Sequence, residues 1–221
     1  MNKNNQTHNL SHHKNRAFKP EKINPPRIFD SKSWQWLTQS KNEIVLEIGA
    51  GKGLHAIQFA AQNKDKTIIA IERTAEKFAA FNKNAQPKNL ANLYPVHADA
   101  IAWSVFALPA QSISQAFILY PNPERNNANQ QWLNMPYFEF LLSRLKNDAT
   151  ITIASNIMEY LDNAQAQSTE VWQLPTTREV VDKTSSRTHF EIKYLARGEP
   201  CEQLVITKPA GYVTRFDNDN P

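Results

Sequence analysis

A chain of 221 residues, 41% hydrophobic and with a formal net charge of +4, is long enough for one full α/β domain with its own core. No apolar run approaches the roughly 20 residues of a membrane span, and a single cysteine, Cys201, excludes an intrachain disulfide framework and a thiolate metal cluster. The charge excess lies entirely in residues 1–40, where seven Lys and Arg face only Glu21 and Asp30.

Residues 1–22 are polar, rich in Asn, His and Lys, and read as a mobile stretch. His8, His12 and His13 belong to that tail, and no metal site is expected. Residues 1–40 as a whole form a basic, partly disordered arm with two open readings: an electrostatic contact for nucleic acid, or a solvated tail. Met1–Gln6 lacks an apolar export segment, so a cytoplasmic protein is expected, as a monomer or homodimer. Pro20, Pro25 and Pro26 mark an extended approach to the domain, and Ser33–Leu37 predicts a short helix packing Trp34 and Trp36 onto the core.

Residues 41–221 read as one domain in which strand and helix alternate. Strands are expected at Ile44–Ile48, Thr67–Ile71, Leu93–His97, Gln115–Tyr120 and Thr150–Ala154, and helices over Leu54–Gln62, Ala75–Asn84, Met135–Leu145 and Ile157–Ala166. Phe190–Leu195 and Gln203–Thr207 read as two closing strands, close enough for an antiparallel hairpin. The fold class is therefore α/β: a doubly wound, mostly parallel, seven-stranded Rossmann-like sheet with an antiparallel C-terminal strand.

Three of the five glycines, Gly49, Gly51 and Gly53, follow the first strand directly. Glycine clusters where backbone turns sharply or a ligand approaches the main chain. In such a sheet, ligands bind beyond the carboxyl ends of the strands. Glu47 lies at the end of the first strand, Glu72 after the second and Asp99 after the third. A carboxylate after the second strand suits the two hydroxyls of a ribose, and one after the third suits an adenine amine. Glu47 before the loop suits an ammonium group and sits awkwardly against a pyrophosphate. S-adenosylmethionine has all of these groups and no phosphate. The other reading of Glu47 and Asp99 is helix-terminal capping.

These residues resemble class I S-adenosylmethionine-dependent methyltransferases, and later motifs resemble the tRNA (guanine-N7-)-methyltransferases. That family carries Phe-Pro-Asp-Pro-Trp after the fourth strand, where this chain has Tyr120-Pro121-Asn122-Pro123-Glu124. After the fifth strand it carries Ala-Thr-Asp-Trp-Glu-x-Tyr, where this chain has Ala154-Ser155-Asn156-Ile157-Met158-Glu159-Tyr160. Near the carboxyl end its Thr-Lys-Phe-Glu corresponds to Thr188-His189-Phe190-Glu191. The resemblance implies methyl transfer to N7 of guanine in tRNA. It implies a cofactor site at Glu47, Gly49, Gly51, Gly53, Glu72 and Asp99, with the neighbouring Arg73 and Ala100. It implies a catalytic position at Asn122 and substrate contacts at Asn126, Asn156, Thr188 and Glu191. Arg125, Arg187 and Arg197 become candidate RNA contacts, and Trp132 and Tyr137 candidate stacking surfaces. Asn122 and Asn156 replace aspartates of the family, which leaves two alternatives: a cofactor- or RNA-binding protein with little turnover, or a methyltransferase for another substrate.

Overall fold

The computed structural model describes residues 16–219. Strands β1 (Glu43–Ile48), β2 (Lys66–Glu72), β3 (Leu93–His97), β4 (Ile113–Leu119), β5 (Leu145–Ser155), β6 (Thr176–Val180) and β7 (Glu202–Thr207) form one sheet in the order β3-β2-β1-β4-β5-β7-β6. β1 to β5 pair in parallel, and β7 runs antiparallel to both β5 and β6. The connections carry α1 (Leu54–Gln62), α2 (Ala75–Ala85), α3 (Ala100–Ala107), α4 (Tyr137–Arg144), α5 (Met158–Ala166) and α6 (His189–Ala196). Strand order reverses at β1, which lies between β2 and β4. That reversal opens a crevice at the carboxyl edge of the sheet. No described helix is long and apolar enough to cross a membrane.

Side chains alternate across the strands and feed two cores. Val45, Ile68 and Ala70 face Ala56 and Ala60 of α1 and Phe81 of α2. Leu46, Ile48, Ile69 and Ile71 face the opposite, larger core with Trp103, Phe138 and Leu141. Both faces of β1 and β2 are buried, which is why these strands read as continuous apolar runs.

The amino-terminal stretch is better anchored than its polarity suggests. Phe18 packs against Tyr137 (5.5 Å), Phe140 (5.4 Å) and Phe216 (6.3 Å), joining both ends of the described chain on α4. Lys3, Lys14, His8, His12 and His13 lie outside the described residues. A 3-10 helix at Ser31–Thr38 carries the expected indoles, with Trp34 edge-on to Trp103 at 4.8 Å.

One local expectation is corrected. Phe190–Leu195 is not a strand but the body of α6. The local signal is Thr188-x-x-Glu191, the pattern of a capped helix start: the Thr188 hydroxyl accepts from Glu191 N at 3.0 Å. The sixth strand is instead Thr176–Val180, whose central Arg178 is drawn into ion pairs with Asp162 and Glu202, both at 2.5 Å. Those charges concealed an edge strand. α3 was not anticipated either, because its Ala-Ile-Ala-Trp-Ser-Val-Phe-Ala is apolar all round and has no helical period.

Gly53 sits at φ +80°, and a Cβ built there would lie 1.9 Å from the ring of Phe81, a fully buried side chain. The left-handed backbone and the overpacking act together. Gly53→Ala should lower stability by about 3 kcal/mol, read as a reduced urea midpoint; an unchanged midpoint would mean that α1 and α2 are not in this contact.

Candidate active site

The loop after β1 is tied to β2 from both sides. Gly49 N and Ala50 N both donate to Ile71 O at 2.9 Å, and Gly51 N donates to the Glu72 carboxylate at 2.8 Å. Thr74 N donates to the other Glu72 oxygen at 2.7 Å. Glu72 is 5% exposed, and these two amides give each oxygen of the buried carboxylate a hydrogen-bond donor. Gly49 and Gly51 have φ of +79° and +59°, and a Cβ at either would meet nothing within 4 Å. Their side of the loop is therefore open ground on which a ligand could lie against bare backbone.

Glu47 is 2% exposed, and one of its oxygens lies 3.0 Å from His55 Nδ1 on α1. The imidazole is held edge-on against Phe117 at 4.6 Å, so it fixes the carboxylate from the side of the helix. Asp99 caps α3: one oxygen accepts from Ile101 N and Ala102 N at 3.0 and 3.1 Å. Its second oxygen stands 4.0 Å from the exposed guanidinium of Arg73. Capping at Asp99 thus uses one oxygen only. Ala100 opens α3 beside it.

The carboxyl ends of β4 and β5 bring the second group of residues to the same edge. Tyr120, at φ +52°, still pairs with β5 through Ala154 O, then the chain turns into Asn122. Asn122 is exposed and Asn156 half-buried. Asn126 lies in the exposed loop that follows. Thr188 and Glu191 start α6, and Glu191 is fully buried.

Glu191 is the hub of this second half. Its carboxylate accepts from the Tyr120 hydroxyl at 2.7 Å and the Ser185 hydroxyl at 2.5 Å. Arg187 adds its backbone N at 3.2 Å, Nε at 3.0 Å and terminal nitrogen at 2.8 Å. Burial alone would raise the pKa of this carboxyl, but Arg187, Ser185 and Tyr120 overcome that and hold it below the ordinary range. Burial pushes the Tyr120 hydroxyl strongly up, so it remains a donor, and it pushes the Cys201 thiol up as well, away from nucleophilic character.

Sequence reasoning did not single out His55, Tyr120 or Ser185 as supports of the site. Only the acid spacing and the capped start at Thr188 carried a local signal. Arg187, expected to face RNA, spends its guanidinium on Glu191 and on Gln203 at 2.8 Å. Tyr137 is 1% exposed with its hydroxyl 2.7 Å from Ser104, which removes it as a stacking surface; Trp132 packs edge-on against it at 6.1 Å. Arg125 is exposed. A cleft lined by Trp36, Asn42, Lys64 and Tyr94 opens at the opposite, amino end of β1 to β3 and holds none of these residues.

A reversing parallel sheet, a glycine loop tied to an acid at the end of β2 and an antiparallel penultimate strand define a class I methyltransferase fold. Residues 41–204 match a family model described as "Putative methyltransferase", and the chain belongs to that family. It is 32% identical over 174 residues to a "Bifunctional methyltransferase" of Rickettsia bellii, a match covering 76% of this chain and 28% of that relative. The chain therefore spans little more than a quarter of that relative's length. It is 25% identical over 171 residues to a tRNA (guanine-N(7)-)-methyltransferase of Nitrosomonas eutropha, covering 75% and 76% of the two chains. Among solved structures it resembles the Haemonchus contortus phosphoethanolamine N-methyltransferase 2 in complex with S-adenosyl-L-methionine. That likeness has a TM-score of 0.51 at 14% identity, over 76% of this chain and 49% of the other.

Glu191 makes the second half of the site sensitive to acid. Its folded pKa lies below its unfolded value near 4.5, so its stabilisation is complete above that value and is lost as pH falls through the folded one. Glu191→Gln should cost about 3 kcal/mol at pH 7, and the gap to wild type should narrow in urea titrations as pH is lowered below about 4.5. A gap that is constant with pH would show that the carboxylate is not charged in the folded protein.

Proposed function

We propose that this chain transfers a methyl group from S-adenosylmethionine to N7 of guanine in tRNA. The observation that carries the reading is the convergence of Glu47, Glu72 and Asp99 around an open glycine loop, on the sheet edge that also bears Asn122 and Asn156. Three carboxylates would repel a phosphate, and they suit a ligand that offers an ammonium, a ribose and an exocyclic amine. The donor set of this loop therefore fits S-adenosylmethionine. The likeness to tRNA (guanine-N(7)-)-methyltransferases along three quarters of the chain supports the acceptor.

In this reading Glu47, oriented by His55, accepts from the cofactor's ammonium. Glu72 keeps the loop in shape with one lone pair of each oxygen and accepts the ribose hydroxyls with the others. The free oxygen of Asp99 takes the adenine amine, with Arg73 at its flank. When bound, the cofactor supplies a methyl group on a sulfonium. Guanine N7 carries a lone pair and no proton, so the chain needs no strong base; its task is to align the acceptor and to stabilise the cation that alkylation creates. Asn122, Asn126, Asn156 and Thr188 are the contacts for that base and its neighbours, and Glu191 fixes the start of α6 beneath them.

Methyl-labelled S-adenosylmethionine and undermodified tRNA should yield 7-methylguanosine, identified after nuclease digestion. Titration calorimetry should give S-adenosylhomocysteine binding that Glu72→Ala weakens by about 30-fold, the cost of about 2 kcal/mol for one buried charged hydrogen-bonding group. Label in no nucleoside of the tRNA would overturn the acceptor, and equal binding by Glu72→Ala would overturn the cofactor site.

A further inference from the structure

Two asparagines of the acceptor rim, Asn122 and Asn156, are each bonded to a glutamate. Asn156 Nδ2 donates to Glu199 at 2.7 Å, from the end of β5 to the turn before β7. Asn122 Nδ2 donates to Glu124 at 2.8 Å. An ionised carboxylate can only accept, so it dictates which end of the amide faces it: Nδ2 turns to the glutamate, which leaves Oδ1 as the end available to another donor. The other oxygen of Glu199 stands 3.8 Å from Arg197, and its charge also bears on the buried thiol of Cys201. Glu124 is held at φ +47°, a left-handed backbone that a glutamate adopts at a cost.

We infer that Glu124 and Glu199 are positioning residues for the acceptor base: through the side-chain amides of Asn122 and Asn156 they present two oriented, polarised carbonyl oxygens to it. This rests on the guanine reading above. Guanine offers N1–H and N2–H donors on the edge remote from N7, and carbonyl oxygens match them; adenine offers an unprotonated N1 there and is rejected. The bond to a carboxylate draws the amide N–H away and enriches its carbonyl oxygen, so negative charge reaches the base through the amide. The pair thus does the work of a carboxylate set one residue back. It also means that aspartate at position 156 would meet Glu199 as a like charge rather than restore a function.

The test compares wild type, Glu199→Gln, Asn156→Asp and the double variant carrying both changes on undermodified tRNA, with S-adenosylhomocysteine binding measured alongside. Glutamine at position 199 keeps an acceptor for Asn156 but no charge, so a purely structural tie would leave kcat unchanged. The expected result is a fall in kcat of about 10-fold for Glu199→Gln, with cofactor binding within about twofold of wild type. Asn156→Asp should fall further, and the double variant should return to within about threefold of wild type, because a donor–acceptor pair is restored with its charge moved forward. Glu124→Gln, on a loop away from the core, should lower kcat without changing melting temperature and keeps the test decisive if a variant at 156 or 199 fails to fold. Wild-type kcat in Glu199→Gln and Glu124→Gln, or a double variant no better than Asn156→Asp, overturns this inference and leaves the guanine reading standing. Wild type without transfer overturns the guanine reading, and with it the base that these amides are said to hold.

Discussion

A carboxylate removed from water needs hydrogen-bond donors, and Glu72 meets that demand with two backbone amides from different loops. Gly51 N comes from the loop after β1 and Thr74 N from the turn after β2. One side chain therefore joins two adjacent strand ends and fixes a loop whose glycines have no side chains of their own to hold it. Gly53 secures the other end of the loop by letting α1 approach Phe81 of α2. The site is built on rigid strand ends rather than on long loops, which is the arrangement that keeps donors and acceptors in register.

The acceptor half repeats the device with a different carboxylate. Glu191 is fully buried on α6 and gathers Tyr120 from the end of β4 and Arg187 from the approach to the helix. It thereby locates the segment that carries Asn122 and the turn that carries Glu199. Buried acids anchor both halves, while acids with an oxygen to spare face outward. Asp99 and Glu199 each give one oxygen to a bond within the fold and hold the other near an arginine, Arg73 at 4.0 Å and Arg197 at 3.8 Å.

The chain order of strands, the sheet class and the three acids were legible because buried parallel strands are short apolar runs and their carboxyl ends fall at fixed places. Ile44–Leu46 of β1 and Ile68–Ile71 of β2 are apolar on both faces until Glu47 and Glu72 interrupt them. What was not legible was decided by tertiary partners. Thr176–Val180 carries Arg178 and Glu179 in a five-residue strand, and only the distant Asp162 and Glu202 reveal why an arginine sits there. Phe190–Leu195 has the β-branched and aromatic content of a strand, yet the cap at Thr188 and the burial of Glu191 make it a helix. Arg187 looked like a free cation because sequence cannot tell which arginine has a buried carboxylate waiting for it.

If Asn156 faces the acceptor, its pairing with Glu199 lets the site exchange an acid for an amide while keeping a charge one side chain away. Replacing a carboxylate by its amide removes a charge at one atom, but an amide has a donor as well as an acceptor, and the donor can recruit a carboxylate from a neighbouring turn. The glutamate costs little where it lies, half-exposed and beside Arg197, whereas the same charge directly against a forming cation must be held without water. Once the pair is in place the two positions are no longer independent: an aspartate at 156 is favourable only if 199 has given up its charge. Residue-by-residue comparison registers two lost acids at this rim. The hydrogen bonds place an acid one side chain behind each of Asn122 and Asn156, and if these amides hold the acceptor it is those bonds that would set the field it meets.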